Sequence, residues 1–569
     1  MTTPDLHAAL QLHFGFPAFR GLQQAVVEHF LGGGSGLVVM ATGDGKSLCY
    51  QLPALVGSGL TLVVSPLIAL MDDQTAALQR RGLPATCIHS QLEAGERRRR
   101  LAAAQSGEVR LLYVTPERFR VPEFRAQLQA LGVTRLAVDE AHCLSQWGHD
   151  FRPDYLQLGA LRAELGEVPC LALTATATPE VQAEIQRVLR LPASPVFRTG
   201  IARDNLFLEV HDTPDEDTKF AALETVLQRT GGPAIVYGAL IQDLLRLETR
   251  LLRAGYRPLL YHGELSAHER RTQQQRFVAS DTALMLATPA FGMGVDQPNL
   301  RAIVHWQLPR TLEAYYQEVG RAGRDGLGSV CALLYRAEDL EIQRDFITWA
   351  NPEAELATLV VQHLHGLGDA AHVEDADSLR ERFLPRQRRD GRIDTVLRLL
   401  RHGGCLSGEP GRDLRVLRTP NGDELEAWFP MAKRQHDLRA LLRMVRYATE
   451  PGCRKHTIHS HFGSDDGPEN CGSCDVCTDP EAWRAAHLPP PRTVRTARPD
   501  AVEPADGAPV QRGDWLQVPR VGLCCVQRVH RRGKHWHVDV ELANDLSRRS
   551  LDLSRPGWVK LPGRAAPGG

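Results

Sequence analysis

Short apolar runs recur along the first 340 residues with helix-compatible stretches between them. They are Leu37-Val38-Val39-Met40, Leu60-Thr61-Leu62-Val63-Val64, Leu111-Leu112-Tyr113-Val114, Leu136-Ala137-Val138 and Cys170-Leu171-Ala172-Leu173. After a break near 192–205 the pattern resumes with Ala234-Ile235-Val236-Tyr237, Leu284-Met285-Leu286 and Ile303-Val304-His305-Trp306. Strands covered on both faces read as unbroken apolar runs rather than as alternation. The spacing therefore predicts two parallel α/β sheets, whose ligands belong at the carboxyl ends of the strands, in a cleft between the two.

The pattern changes beyond residue 341. Ile393 to Leu400 reads as an amphipathic helix, and Cys405 to Leu417 as two strand-like pieces around the turn Gly408-Glu409-Pro410-Gly411-Arg412. Residues 380–420 hold 11 arginines against five Asp or Glu. A helix followed by a hairpin suggests a winged-helix module on DNA; a basic, solvated helical insert fits the same residues equally well. The stretch 488–508 is rich in proline and poor in apolar residues, as expected of an extended tether. After it, Gly513 to Pro519, Gly522 to Val529, His535 to Leu542 and Trp558 to Leu561 read as short strands separated by turns.

Composition narrows the class. At 569 residues, with 43% apolar and 24% charged residues, the chain has material for three or more cores. No apolar run approaches the ~18 residues of a membrane span, and the first thirty residues lack a signal-peptide pattern. The expected location is therefore cytoplasmic, nucleoid-associated if the source is bacterial. The net charge of −1 offers no bulk attraction to nucleic acid, so any such binding rests on local segregation of charge.

The candidate chemistry sits at the ends of the apolar runs. Asp139 and Glu140 close the run Leu136-Ala137-Val138, where Asp139 can hold Mg²⁺ on a nucleotide and Glu140 can orient or deprotonate a water. Asp139-Glu140-Ala141-His142 alone would fit a solvated acidic turn as well. The continuation argues otherwise: Trp147, His149, Phe151, Arg152 and Tyr155 have the chemistry for stacking on bases and gripping phosphates. Upstream, Thr42-Gly43-Asp44-Gly45-Lys46-Ser47 follows a strand and precedes a helix-compatible stretch, which suits a phosphate-cradling loop. Lys46 would reach the β- and γ-phosphates and Ser47 the Mg²⁺, although Met40 stands where the strict P-loop pattern wants glycine. Arg321 and Arg324, three apart on one helical face, can point guanidinium groups at the γ-phosphate from the facing domain.

Twelve cysteines are scattered except for one cluster. Cys471, Cys474 and Cys477 stand at two-residue spacing with Cys453 upstream, a set that suits tetrahedral Zn²⁺ in a closed structural site. His456, His459 and His461 are alternative ligands. A redox reading of Cys-x-x-Cys lacks the thioredoxin-like context.

Taken together these motifs resemble the RecQ family of superfamily 2, DEAH-box helicases, over roughly residues 5–340 plus the cysteine cluster. Phe14-Gly15, Phe19-Arg20 and Gln23 match the family's amino-terminal motif. The resemblance implies that Gln23 reads the adenine edge while Arg20 lies against the base. Ser65 to Met71 and Tyr113 to Arg118 match strand-tracking motifs, and Ala172 to Thr178 the coupling motif. Ala287 to Asp296 and Gln317 to Gly326 match the last two, which implies nucleotide contact for Asp296 and an arginine finger at Arg324 with Arg321 beside it. Gly238-Ala239-Leu240 departs from the polar residues usual after the strand at Tyr237. The terminal strands resemble the small Tudor-like barrel of UvrD-type helicases.

The implied architecture is α/β: two RecA-like P-loop NTPase domains (1–200 and 201–345), a basic insert with a possible winged helix (346–430) and a zinc-binding module (431–480). A Pro-rich linker (481–510) and a small β-barrel (511–562) follow. The implied activity is ATP-dependent 3′-to-5′ unwinding of duplex or branched DNA in recombination, repair or replication. Its cofactors would be ATP, Mg²⁺ and Zn²⁺, its partners single-stranded and branched DNA and a protein on the barrel. An RNA helicase of the same superfamily and an ATP-gated binding scaffold without turnover are the alternatives.

Overall fold

The structure is a computed structural model. It describes residues 5–478 except 42, 146, 149–150, 192–193, 200–202, 293–296, 386–389, 465–466 and 468, together with 510, 514–518, 521–532, 535–542, 548–554 and 558–561. The chain divides into two compact units: 1–342 with 447–487, and 343–446 with 488–569.

The first unit holds two wholly parallel sheets. In one, β1 (Gly36–Val39), β2 (Leu60–Val64), β3 (Ala85–Ile88), β4 (Leu111–Val114), β5 (Val133–Val138), β6 (Cys170–Thr174) and β7 (Val196–Arg198) take the order β3-β4-β2-β5-β6-β1-β7. In the other, β8 (Leu206–Asp212), β9 (Ala234–Tyr237), β10 (Leu259–Tyr261), β11 (Leu284–Ala287), β12 (Ala302–His305) and β13 (Ser329–Tyr335) take the order β10-β11-β9-β12-β13-β8. The apolar runs of the sequence become these strands because each is covered on both faces. Leu62 and Val64 enter the core on one side of the first sheet and Val63 the core on the other. Each such side chain contributes about 1.5–3 kcal/mol on burial, so the sheets form a frame stiff enough to hold strained loops at their ends.

The second unit contains a small core built from Leu356, Val360, Leu364, Ile393, Val396, Leu400 and Leu414 among others. The helix Arg392–His402 is followed by a two-stranded antiparallel hairpin, β14 (Leu406–Ser407) and β15 (Arg415–Val416). The expected helix and hairpin are thus present with a core of their own. The helix Met431–Thr449 belongs to this unit as far as Arg446. The same unit carries an antiparallel sheet of β16 (Trp515–Val518), β17 (Gly522–Arg532), β18 (His535–Leu542), β19 (Arg548–Asp552) and β20 (Val559–Leu561), ordered β19-β18-β17-β16-β20. These are the strands read from the sequence as a small barrel; among the described residues they form an antiparallel sheet in which β19 and β20 do not pair. The tether 488–508 lies outside the described residues. Among the described residues, no helix is long and apolar enough to cross a membrane.

Candidate active site

The carboxyl ends of β1, β5 and β6 converge on one place. Past β1 the chain turns through Gly43 (φ +96°) and Gly45 (φ +74°), backbone conformations that a side chain would strain. A Cβ on Gly45 would lie 2.6 Å from Nε2 of Gln23, so the loop also needs glycine for close approach. Gln23 donates from Nε2 to the carbonyls of Asp44 (2.8 Å) and Gly45 (3.3 Å), and its Oε1 accepts from the Arg20 backbone N–H at 2.9 Å. The carboxamide thus fastens the amino-terminal motif to the phosphate loop. Lys46 Nζ donates to the carbonyls of Met40 (3.1 Å) and Ala41 (3.4 Å). Ser47 Oγ accepts from Gln74 Nε2 at 3.3 Å, and Thr199 Oγ1 donates to Asp44 Oδ2 at 3.2 Å. Gln74 and Thr199 belong to no motif read from the sequence; each reaches the loop only through the fold.

Asp139 is 5% exposed at the end of β5. Burial and the adjacent Glu140 push its carboxyl up to about 7. Paired carboxylates under such desolvation fit a divalent cation, which Asp139 and Ser47 would hold against phosphate oxygens. Glu140 adopts a left-handed backbone (φ +47°), a strain of about 1–3 kcal/mol that neighbouring structure has to offset. Its N–H donates to Asp139 Oδ1 at 3.0 Å, and its Oε2 lies 3.4 Å from His142 Nδ1. The same imidazole nitrogen is 3.0 Å from Thr174 Oγ1 at the end of β6. His142 thus hydrogen-bonds the coupling motif and stands beside Glu140, whose Oε2 is buried without a hydrogen-bond partner.

The segment after the carboxylates is less exposed than its sequence suggests. Trp147 is half-buried and packs against the core of the first sheet. Phe151 is half-buried, and Arg152 donates through a guanidinium nitrogen to the carbonyl of Pro66 at 2.8 Å, joining this loop to a strand-tracking motif. Tyr155, read with the stacking residues, is fully buried instead, and its hydroxyl donates to the Asp139 carbonyl at 3.2 Å. The short 3₁₀ turn Pro153–Gln157 points the ring inward. Asp154 pairs with Arg120, and Gln157 Nε2 donates to the carbonyl of Pro116 at 3.2 Å, so the second tracking motif is tied in as well. Thr42, His149 and Asp296 lie outside the described residues.

From the second sheet, Arg324 reaches the phosphate loop: a Cβ on Gly43 would meet its Cγ at 3.4 Å. Arg321 instead turns back, donating to the carbonyl of Gly292. The two arginines do not share a helical face. The helix Leu312–Val319 ends before them, and Gly323 (φ +56°) reverses the chain where a Cβ would collide with Asn205, Leu327 and Ser329. The departure at Gly238-Ala239-Leu240 has a counterpart in Gln307, whose Oε1 accepts from the N–H groups of Ala239 (2.6 Å) and Leu240 (3.4 Å).

The thiols of Cys453, Cys471, Cys474 and Cys477 lie within 4.8 Å of one another, with Cys474 fully buried. Four sulfurs so gathered fit tetrahedral Zn²⁺ with no open position. Two of the alternative ligands are engaged elsewhere: His461 Nε2 lies 2.7 Å from Glu313 Oε1, and His456 Nδ1 lies 3.3 Å from the Gly467 carbonyl. Arg454 and the backbone N–H of Val210 both bond the Asp475 carboxylate, which docks the cysteine segment on β8.

Comparison with known proteins agrees with this geometry. The DEAD/DEAH box helicase family matches residues 20–185, the helicase conserved C-terminal domain 218–326, and RecQ zinc-binding 423–478. An ATP-dependent DNA helicase RecQ from Bacillus subtilis is 41% identical over 375 residues, 65% of this chain and 63% of that protein. The chain thus spans less than two-thirds of that relative's length. The ATP-dependent DNA helicase RecQ of Synechocystis sp. is 33% identical over 501 residues, 83% of this chain and 98% of the relative. Among solved structures, Mss116p bound to ssRNA and AMP-PNP superposes with a TM-score of 0.51 at 16% identity, over 71% of this chain and 92% of that one, which is a likeness of fold.

Proposed function

The chain belongs to the RecQ family, and from that membership we propose that it is an ATP-dependent DNA helicase moving 3′ to 5′ along single-stranded and branched DNA in recombination, repair or replication. One observation carries the mechanism: Arg324, from the second sheet, lies against Gly43 of the first sheet's phosphate loop. Hydrolysis then depends on how the two sheets meet. Lys46 exchanges its carbonyl partners for phosphate oxygens, and Gln23, freed from the loop backbone, reads the adenine edge with Arg20 beside it. Thr42, Gly43, Asp44 and Gly45 serve as the loop that binds the phosphates. Glu140 takes the proton of the attacking water, and Arg324 stabilises charge developing on the transferred phosphoryl group, with Arg321 bracing the turn that carries it. Magnesium, held by Ser47 and Asp139, would supply the positive charge that balances the phosphates.

Trp147, His149, Phe151 and Arg152 contact the DNA strand and pass its presence to Asp139. The Arg152 bond to Pro66 and the Tyr155 bond to Asp139 support this route. The helix Arg392–His402 with its hairpin and separate core supports a winged-helix reading of 346–430 over a solvated insert. The terminal sheet would serve as a recruitment module for a protein partner, and the protein would act in the cytoplasm or on a nucleoid. Unwinding of 3′-tailed, 5′-tailed, blunt, forked and four-way DNA, measured side by side, tests substrate and polarity. ATPase stimulated by RNA rather than DNA, or ATP binding without turnover, would overturn the proposal.

A further inference from the structure

Away from the nucleotide and the four cysteines, three side chains of different chemistry meet at the edge of the first sheet. Cys87 and His89 sit two positions apart at the carboxyl end of β3, so they leave the chain on the same face. Asp72 comes to them from the helix Ile68–Arg80. One ligand atom of each lies within 4.8 Å of the others. Cys87 Sγ is 3.3 Å from Asp72 Oδ1, and His89 Nε2 is 3.2 Å from the same oxygen.

These separations match the edges of a coordination tetrahedron. With ordinary zinc bond lengths, a nitrogen and an oxygen on one ion stand about 3.3 Å apart, and a sulfur and an oxygen about 3.5 Å. The charges match as well, since one thiolate and one carboxylate balance a divalent cation while the imidazole ligates as the neutral base. Arg100 donates to Cys87 Sγ at 3.1 Å and to the Cys87 carbonyl at 2.9 Å, an outer hydrogen bond of the sort that steadies a ligating thiolate. His89 is 3% exposed, and its Nδ1 has no hydrogen-bond partner. Its Nε2, which bonds Asp72, is the nitrogen directed at the other two donors. The Asp72 side chain is half-exposed, which leaves the fourth position open to solvent.

We propose that Asp72, Cys87 and His89 form a second metal site for a borderline divalent cation of the zinc type, separate from the four-cysteine site. A sulfur, nitrogen and oxygen set selects such an ion over Mg²⁺ or Ca²⁺, which prefer oxygen alone. β3 is an edge strand of its sheet. The ion would pin that edge to the helix whose Gln74 bonds Ser47 in the phosphate loop. The site owes nothing to the helicase reading and stands or falls without it.

The test uses the full chain, equilibrated with zinc buffered at micromolar free concentration and then analysed for bound metal. Wild type should hold a second equivalent beyond the four-cysteine site, and Asp72→Asn and Cys87→Ser should each lose one equivalent. Cobalt in place of zinc should give thiolate-to-metal absorption that falls in proportion. Asp72→Asn decides the matter if the buried Cys87 variant fails to fold, because the Asp72 side chain is half-exposed. A single equivalent in wild type, or two equivalents kept by Asp72→Asn, overturns the proposal.

Discussion

Tyr155→Phe separates transmission from architecture because it removes one oxygen from a ring that stays where it is. Tyr155 is fully buried, so the phenyl ring keeps its packing, and burial already holds the phenol protonated. What is lost is the hydroxyl bond to the Asp139 carbonyl. At 3.2 Å it is longer than the usual O–H···O distance, which places its net worth near the lower end of the ordinary range, about 0.5–1 kcal/mol. If all of it acts on the geometry of Asp139 in the transition state, turnover falls about two- to five-fold. The assay compares ATPase with and without saturating single-stranded DNA, with DNA affinity from fluorescence anisotropy and stability from urea unfolding. The expected result is a lowered DNA-stimulated kcat with unchanged DNA affinity, against a stability loss of no more than about 1 kcal/mol. An unchanged stimulated rate beside a measurable stability loss would make the bond architectural and refute the relay.

Glu140→Gln should still bind ATP yet lose turnover by two or more orders of magnitude, about 3 kcal/mol of transition-state stabilisation, and unchanged single-turnover hydrolysis would remove Glu140 from the chemistry. Trp147→Ala should lose DNA stimulation more than DNA affinity, since one stacked base is worth only about 1–3 kcal/mol; collapse of affinity with normal stimulation at saturating DNA would make the loop a grip alone. Cys474→Ser should yield insoluble or protease-sensitive protein lacking the structural zinc, and metal analysis showing no zinc in purified, active wild-type protein would reject the site. Gly323→Ala forces a Cβ to 2.5 Å from Asn205 Nδ2 and 2.7 Å from the Leu327 carbonyl at φ +56°. The left-handed backbone alone costs about 1–2 kcal/mol, so urea unfolding should register at least that, and kcat should fall because Arg324 is carried by this turn.

The sequence by itself determined the two sheets, because strands buried on both faces must be continuously apolar and the chain shows such runs in order. It made candidates of Lys46, Asp139 and the four cysteines for a similar reason: phosphate cradles and structural zinc sites draw on residues close in the chain, so spacing carries the chemistry. The terminal strands were equally legible, whereas pairing of the outermost two is a long-range matter that strand pattern does not carry. Tyr155 was misplaced because the same aromatic residue serves for stacking outside and for packing inside, and only the 3₁₀ turn decides which way the ring points. Arg321 and Arg324 parted company at a glycine reversal that helical periodicity does not register. Thr199, Gln74 and Gln307 carried no signal at all, since each acts on a partner 27 to 155 residues away. The gathering of Asp72 with Cys87 and His89 belongs with these. Tertiary structure alone decided it, because the donors come from a helix and a strand whose separation in space no spacing rule encodes.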